Sequence, residues 1–116
     1  MMKEKEEIPL TEPTLFILLS LALEPRHGYG IMKDVEELSD GRVSLSTGTL
    51  YGALRRLVKD GWIQRLPPEK AEGRADGRNQ KYYQLSTNGE RLLHAELNRL
   101  QAVLSMAENR KLGWQS

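Results

Sequence analysis

The sequence predicts a mainly α-helical fold with one small β-hairpin, and three observations predict it. Four stretches carry apolar residues at helical spacing, two short runs carry strand-forming residues, and proline or glycine punctuates the joints. The order is three helices, the hairpin, then one long helix, all within 116 residues. A chain of this length forms one domain, with room for one appended element. Its core is small enough that self-association would add useful apolar burial.

The first helix is signalled by Thr11 as N-cap, with Glu12 and Pro13 in the first turn, where proline's missing N–H costs nothing. Leu15, Phe16, Leu18, Leu19, Ala22 and Leu23 make it apolar on nearly every side, so it should be buried on most faces until Pro25 stops it. A second helix fits Gly28 to Ser39, with Ile31, Val35 and Leu38 at helical spacing and Asp34, Glu36 and Glu37 facing water. Asp40–Gly41 is a turn signal. The third helix is the best defined. Ser46 caps it, Leu50, Leu54, Leu57 and Val58 form its inner stripe, and Gly61 ends it in left-handed geometry.

Trp62-Ile63-Gln64-Arg65-Leu66 reads as a strand closed by Pro67–Pro68, and Tyr82-Tyr83-Gln84-Leu85 as the strand returning beside it. Between them Glu69 to Asn79 is a polar, basic loop. Thr87 and Glu90 have capping-box spacing and open the last helix. There Leu93, Leu97, Leu100, Leu104 and Ala107 follow in alternating steps of four and three, the seam of a coiled coil. The expected division is a flexible N-terminus over 1–10, a winged helix-turn-helix unit over 11–86, a dimerisation helix over 87–110 and a frayed tail over 111–116.

Composition excludes several classes. There is no cysteine, so disulfides, thiolate metal sites and cysteine nucleophiles are out, and a reducing, cytoplasmic setting is expected. The longest apolar run, Leu15 to Leu23, is too short to span a bilayer, and the polar start is the wrong flank for a signal peptide. The net charge of +1 hides an asymmetry. Residues 1–41 carry four Lys/Arg against nine Asp/Glu, residues 42–82 nine against four, and residues 83–116 four against three. A basic middle points to one anionic partner, with chance clustering on a solvated face as the plain alternative.

A major groove about 12 Å wide admits one α-helix, whose N-terminal part meets the base edges. The third helix opens Ser46-Thr47-Gly48-Thr49, small residues that let the backbone approach phosphates. Tyr51, Arg55 and Lys59 follow on one stripe away from the leucine face. In the hairpin loop Lys70, Arg74, Arg78 and Lys81 can meet phosphate or an adjacent minor groove. Each feature has a simpler reading. Tyr51 could cap the edge of the core, Arg55, Arg56 and Lys59 could be solvated charges near a helix C-terminus, and basic residues are common in loops. One groove-facing surface accounts for all of them together.

His27-Gly28-Tyr29-Gly30-Ile31, the run from Gly48-Thr49-Leu50-Tyr51 through Leu54 and Leu57 to Gly61-Trp62-Ile63, and Lys81-Tyr82-Tyr83 with Leu85 and Gly89 resemble the PadR family of bacterial transcriptional regulators. The resemblance covers about residues 11 to 105 and looks like the short subfamily with a single C-terminal helix. It implies a winged helix homodimer that binds a near-palindromic operator on double-stranded DNA, usually as a repressor, in some members released by a small hydrophobic or phenolic effector. It places recognition positions on Thr47, Thr49, Tyr51 and Arg55 and wing contacts on Arg78 and Lys81. The family often has proline near Thr47 and near Gly52; neither is present, which weakens any carry-over of operator sequence. In drug-binding relatives a tryptophan of the last helix stacks on ligands, but Trp114 lies about two turns too late for that role.

Two other functions compete. A winged helix module could take a protein or RNA partner, but then the third-helix stripe should be apolar or the wing should lack cations. An enzyme is not expected. His27 and His94 are lone histidines, no carboxylate–histidine set has metal spacing, and no glycine-rich loop resembles a phosphate cradle. No cofactor or metal is implied.

Overall fold

The computed structural model describes residues 8–67 and 81–110. Its elements run α1 (Glu12–Leu23), β1 (Arg26–His27), α2 (Gly28–Leu38), α3 (Thr47–Lys59), β2 (Ile63–Arg65), β3 (Tyr82–Leu85) and α4 (Thr87–Asn109). Among the described residues the sheet has three strands and not two, in the order β1-β3-β2, antiparallel throughout. Arg26 and His27 pair with Tyr83 and Tyr82, while Ile63, Gln64 and Arg65 pair with Leu85, Gln84 and Tyr83. A two-residue strand has no periodicity to read, so β1 is invisible before β3 is in place beside it.

The core is built on α1, which touches α2, β3 and α4. Ile17, Leu18 and Leu21 of α1 meet Ile31 and Val35 of α2, Leu50, Leu54 and Leu57 of α3, and Ile63 and Tyr83 of the sheet. Thr11 caps α1 as expected, its Oγ accepting from the Thr14 N–H at 3.3 Å. Arg26 closes the other end, donating from Nε to the Ser20 carbonyl at 2.8 Å and pairing with Glu24 and Asp34. Leu38, expected in the core, is exposed instead, because α2 ends there and the chain turns away at Asp40 and Gly41, both at positive φ.

The end of α3 fixes the direction of β2. Gly61 at φ 85° donates to the Val58 carbonyl, and Trp62 N–H reaches back to Leu57 at 3.0 Å. That pair of bonds is a Schellman ending, which satisfies two of the helix's last carbonyls and delivers Trp62 and Ile63 into the core. The cap of α4 is Ser86, one residue before the Thr87 expected. Its Oγ accepts from the Gly89 N–H at 2.9 Å while its hydroxyl donates to the Gly61 carbonyl at 2.6 Å. The second bond crosses from α4 to the α3–β2 turn, so tertiary contact decides between two adjacent hydroxyl residues.

Residues 8–10, assigned from sequence to a flexible end, pack on the core through Ile8 and Leu10. They are held by Glu96, a carboxylate only 1% exposed on α4. Its Oε2 accepts from the Leu10 N–H at 3.1 Å, and both oxygens accept from Arg99 at 2.8 and 2.9 Å. The Arg99 hydrogen bonds hold the Glu96 carboxyl below the ordinary value of 4.5, against the opposing effect of burial. A depressed carboxylate pKa contributes stability that is complete above the unfolded value and lost as pH falls through the folded one. Glu96→Gln should therefore lower Tm at pH 7, and the gap to the parent protein should close below about pH 4.5. Melts at pH 7, 5 and 3 check this; a gap that stays constant would contradict it.

Candidate nucleic-acid interface

The face of α3 opposite its leucines is the centre of the candidate site. Gly48, Gly52, Arg55 and Lys59 fall within roughly 60° of arc at 100° per residue, diametrically away from Leu50, Leu54 and Leu57. Neither glycine is needed by the chain's own packing. A Cβ on Gly48 would meet nothing within 4 Å, and one on Gly52 only the Arg55 guanidinium at 3.9 Å. Glycine inside a helix costs roughly 0.5–1 kcal/mol relative to alanine. Two of them on an open face mark a surface that an outside body can approach to backbone distance, with Arg55 and Lys59 beside it.

At the start of α3 Ser46, Thr47 and Thr49 are all exposed. Ser46 acts as the N-cap, its Oγ accepting from the Thr49 N–H at 3.2 Å and its hydroxyl donating to the Thr49 Oγ at 3.0 Å. The remaining first-turn N–H groups have no partner inside the helix, as in any helix N-terminus, and carry its partial positive charge.

Tyr51 does not project freely, as its place on the helix had implied. It is half-buried against the core, and a Cβ on Gly28 would meet its hydroxyl at 2.1 Å and its ring at 2.5 Å. The phenol lies across the first residue of α2, where only a glycine leaves room. The ring thereby fixes α3 against α2, and the edge-of-core reading of Tyr51 is the one the packing supports. His27 completes this corner by capping α2, its Nδ1 accepting from the Gly30 N–H at 3.1 Å, with its ring edge-on to Tyr82.

Arg55, Arg56, Lys59, Arg65 and Lys81 are exposed, and among the described residues none makes an ion pair. The ion pairs that do form, Arg42–Glu12, Arg26–Glu24, Arg26–Asp34 and Arg99–Glu96, lie on other parts of the molecule. Arg65 is absent from the sequence-derived set. The signal for it was the alternation Ile63, Gln64, Arg65, which puts Arg65 on the face of β2 that carries the core-facing Ile63. Arg74 and Arg78, with Lys70, fall in 68–80, outside the described residues. Lys81 stands at the entry to β3.

On α4 the seam expected from sequence is divided. Leu93 is only 5% exposed and belongs to the chain's own core, so it is not available to a partner. Leu97 and Leu100 remain 38% and 37% exposed, with Leu104 half-buried beside them. Val103 and Met106, which the heptad reading left out, are more open at 49% and 59%. The buried residues of α4 end at Glu96, so its last thirteen residues, 97–109, bury none of their side chains fully.

The model of the transcriptional regulator PadR-like family matches residues 17–95, from the middle of α1 to the first half of α4. The chain belongs to the PadR-like family of transcriptional regulators. Members are DNA-binding regulators and not enzymes, so this PadR-like chain is a DNA-binding regulator. No curated protein matches it. Among solved structures it is similar to a PadR family transcription regulator from Clostridium difficile R20291, at 21% identity and TM-score 0.67, covering 85% of this chain and 97% of that one. A PadR-like transcriptional regulator from Bacillus cereus gives 22% identity and TM-score 0.67 over 89% and 92%. RosR from H. salinarum gives 26% identity and TM-score 0.61 over 87% and 80%. The shared fold is the winged helix plan. Among the described residues of the PadR-like chain, no helix is long and apolar enough to cross a membrane.

Proposed function

We propose that this regulator is a homodimeric repressor that lays α3 into the major groove of each half of a near-palindromic operator. The observation that carries this reading is the Gly48–Gly52–Arg55–Lys59 stripe, which combines close backbone approach with unpaired positive charge. Ser46, Thr47 and Thr49 then face backbone phosphates at the helix start, and Lys81, with Arg74 and Arg78, anchors the wing. Tyr51 contributes chiefly by holding α3 at its angle to α2. The dimer forms through the outer half of α4, by Leu97, Leu100 and Leu104 together with Val103 and Met106. An isolated helix of that length is marginal in water, and a second copy supplies the missing burial.

Release by a small hydrophobic or phenolic effector fits a cleft of about 400 Å³ bounded by Leu10, Thr14, Arg56, Leu57, Trp62 and Leu92. Its walls come from α1, α3 and α4, so an occupant would bear on both the reading helix and the dimer helix.

Gly52→Ala tests the stripe. The added methyl meets only a movable guanidinium, so the fold should gain about 0.5–1 kcal/mol. Affinity for duplex DNA should fall about tenfold, because the methyl stands where the groove wall must come. Thermal melts and anisotropy titrations on one preparation separate the two effects. A stabilised variant that binds duplex as tightly as the parent removes this face from the interface.

A further inference from the structure

Tyr51, Arg55 and Arg65 all lie within electrostatic reach of the Tyr83 hydroxyl, where α3 packs on β2. Arg65 on β2 is the direct cross-strand partner of Tyr83 on β3, and directly paired residues in an antiparallel sheet point to the same side. Tyr83 pairs on its other side with Arg26 of β1, and the chain then runs two residues to Gly28, on which the Tyr51 phenol rests. Tyr51 and Arg55 lie one turn apart on α3, and the Arg55 guanidinium folds back over Gly52. Register and packing therefore bring the two phenols together, flanked by one arginine from the helix and one from the strand.

The electrostatics of Tyr83 agree. Burial pushes its hydroxyl up from the ordinary tyrosine range, the Arg65 charge acts against that, the Tyr51 phenol adds to it, and Arg55 acts in the same sense as Arg65. Each arginine is within electrostatic reach of one hydroxyl, and among the described residues neither has a carboxylate partner. Two like charges placed together without a counter-charge leave the seat short of an anion.

We infer that Arg55 and Arg65, with the hydroxyls of Tyr51 and Tyr83, form a seat for a single DNA backbone phosphate in the crevice between α3 and β2. Arginine's planar fork can give two parallel N–H bonds to one phosphodiester, and a phenol hydroxyl adds a neutral donor. A phosphate held at this point fixes how far α3 enters the groove, because the seat joins the helix to the sheet. This inference rests on the DNA-binding reading and assigns to it a residue, Arg65, outside the recognition helix and the wing tip.

The salt dependence of binding to a random-sequence duplex tests it, since the slope counts phosphates neutralised. Arg65→Gln should weaken binding severalfold and lower the slope, and Arg65→Lys should restore most of the slope. The double variant Arg55→Gln/Arg65→Gln should lower the slope by about one in total, as one shared phosphate requires. A loss of about two would mean separate contacts and overturn the seat. So would an Arg65→Gln protein that binds like the parent while Lys59→Ala and Lys81→Ala bind more weakly. If the parent shows no salt-dependent duplex binding, the DNA reading itself falls, and the seat with it. Arg65 is exposed, and equal melting temperatures across the set would exclude misfolding as the cause.

Discussion

Gly89→Ala is expected to destabilise the protein more than any other single methyl addition considered. A Cβ at Gly89 would stand 1.9 Å from the Trp62 carbonyl oxygen and 3.0 Å from its carbon. That obstacle is backbone, and it is pinned. Trp62 donates its N–H to Leu57, and its carbonyl accepts from the Ser86 N–H at 3.1 Å. Moving α4 outward to make room would break the Ser86 bonds to Gly61 and Trp62 together. Overpacking of this kind costs about 3 kcal/mol, which for a domain of this size lowers Tm by more than about 10 °C. Gly52→Ala is the matched control, because the same methyl meets open space there. A Gly89→Ala protein melting within about 2 °C of the parent would show that α4 can slide on Trp62.

Leu100→Asp is expected to dissociate the proposed dimer while leaving the folded domain intact. Leu100 keeps 37% of its surface open, on one stripe with Leu97 and the half-buried Leu104. A carboxylate there costs nothing in the monomer, where water reaches it, but is buried without a partner at a two-fold interface, and symmetry applies the cost twice. The dimer dissociation constant should rise about 100-fold or more, equivalent to about 2.7 kcal/mol. Affinity for a duplex with both half-sites should fall by a similar factor as bivalency is lost, whereas affinity for one half-site should hardly change. Sedimentation velocity reads the first effect and paired titrations the second. A Leu100→Asp protein that still sediments as a dimer would move the interface off α4. Leu93→Asp offers a contrast: with Leu93 inside the domain, it should fail by unfolding.

Much of the architecture was legible because it is written in local chemistry. Thr11 and Ser46 are caps whose hydroxyls bond the third residue on, Gly61 is the left-handed ending of α3, and Leu50, Leu54 and Leu57 keep one face. These features act over one or two turns, so neighbours in the chain suffice to specify them. The stripe of Arg55 and Lys59 was legible for the same reason, since a helix converts spacing into a face.

What was misplaced depended on partners distant in the chain. Tyr51 looked free because it stands about 100° from the leucines, yet Gly28 leaves a vacancy on another helix that its ring fills. Leu93 matched the heptad as well as Leu97, but one is buried in the core of its own domain and the other is exposed. Glu96 is buried beneath Leu10, which lies 86 residues away in the chain, and no neighbour in sequence signals that contact.

The sequence by itself determined the helices, most of their caps and ends, the order of elements and the charge on the outer face of α3, because each follows from periodicity and short-range hydrogen bonding. Only the tertiary structure decided which phenol packs, which leucine stays exposed, that β1 joins the sheet, and that Arg65 pairs across the sheet with Tyr83. Those outcomes are set by which surfaces meet, and a burial or a cross-strand pairing has no local signature when its partner lies tens of residues away.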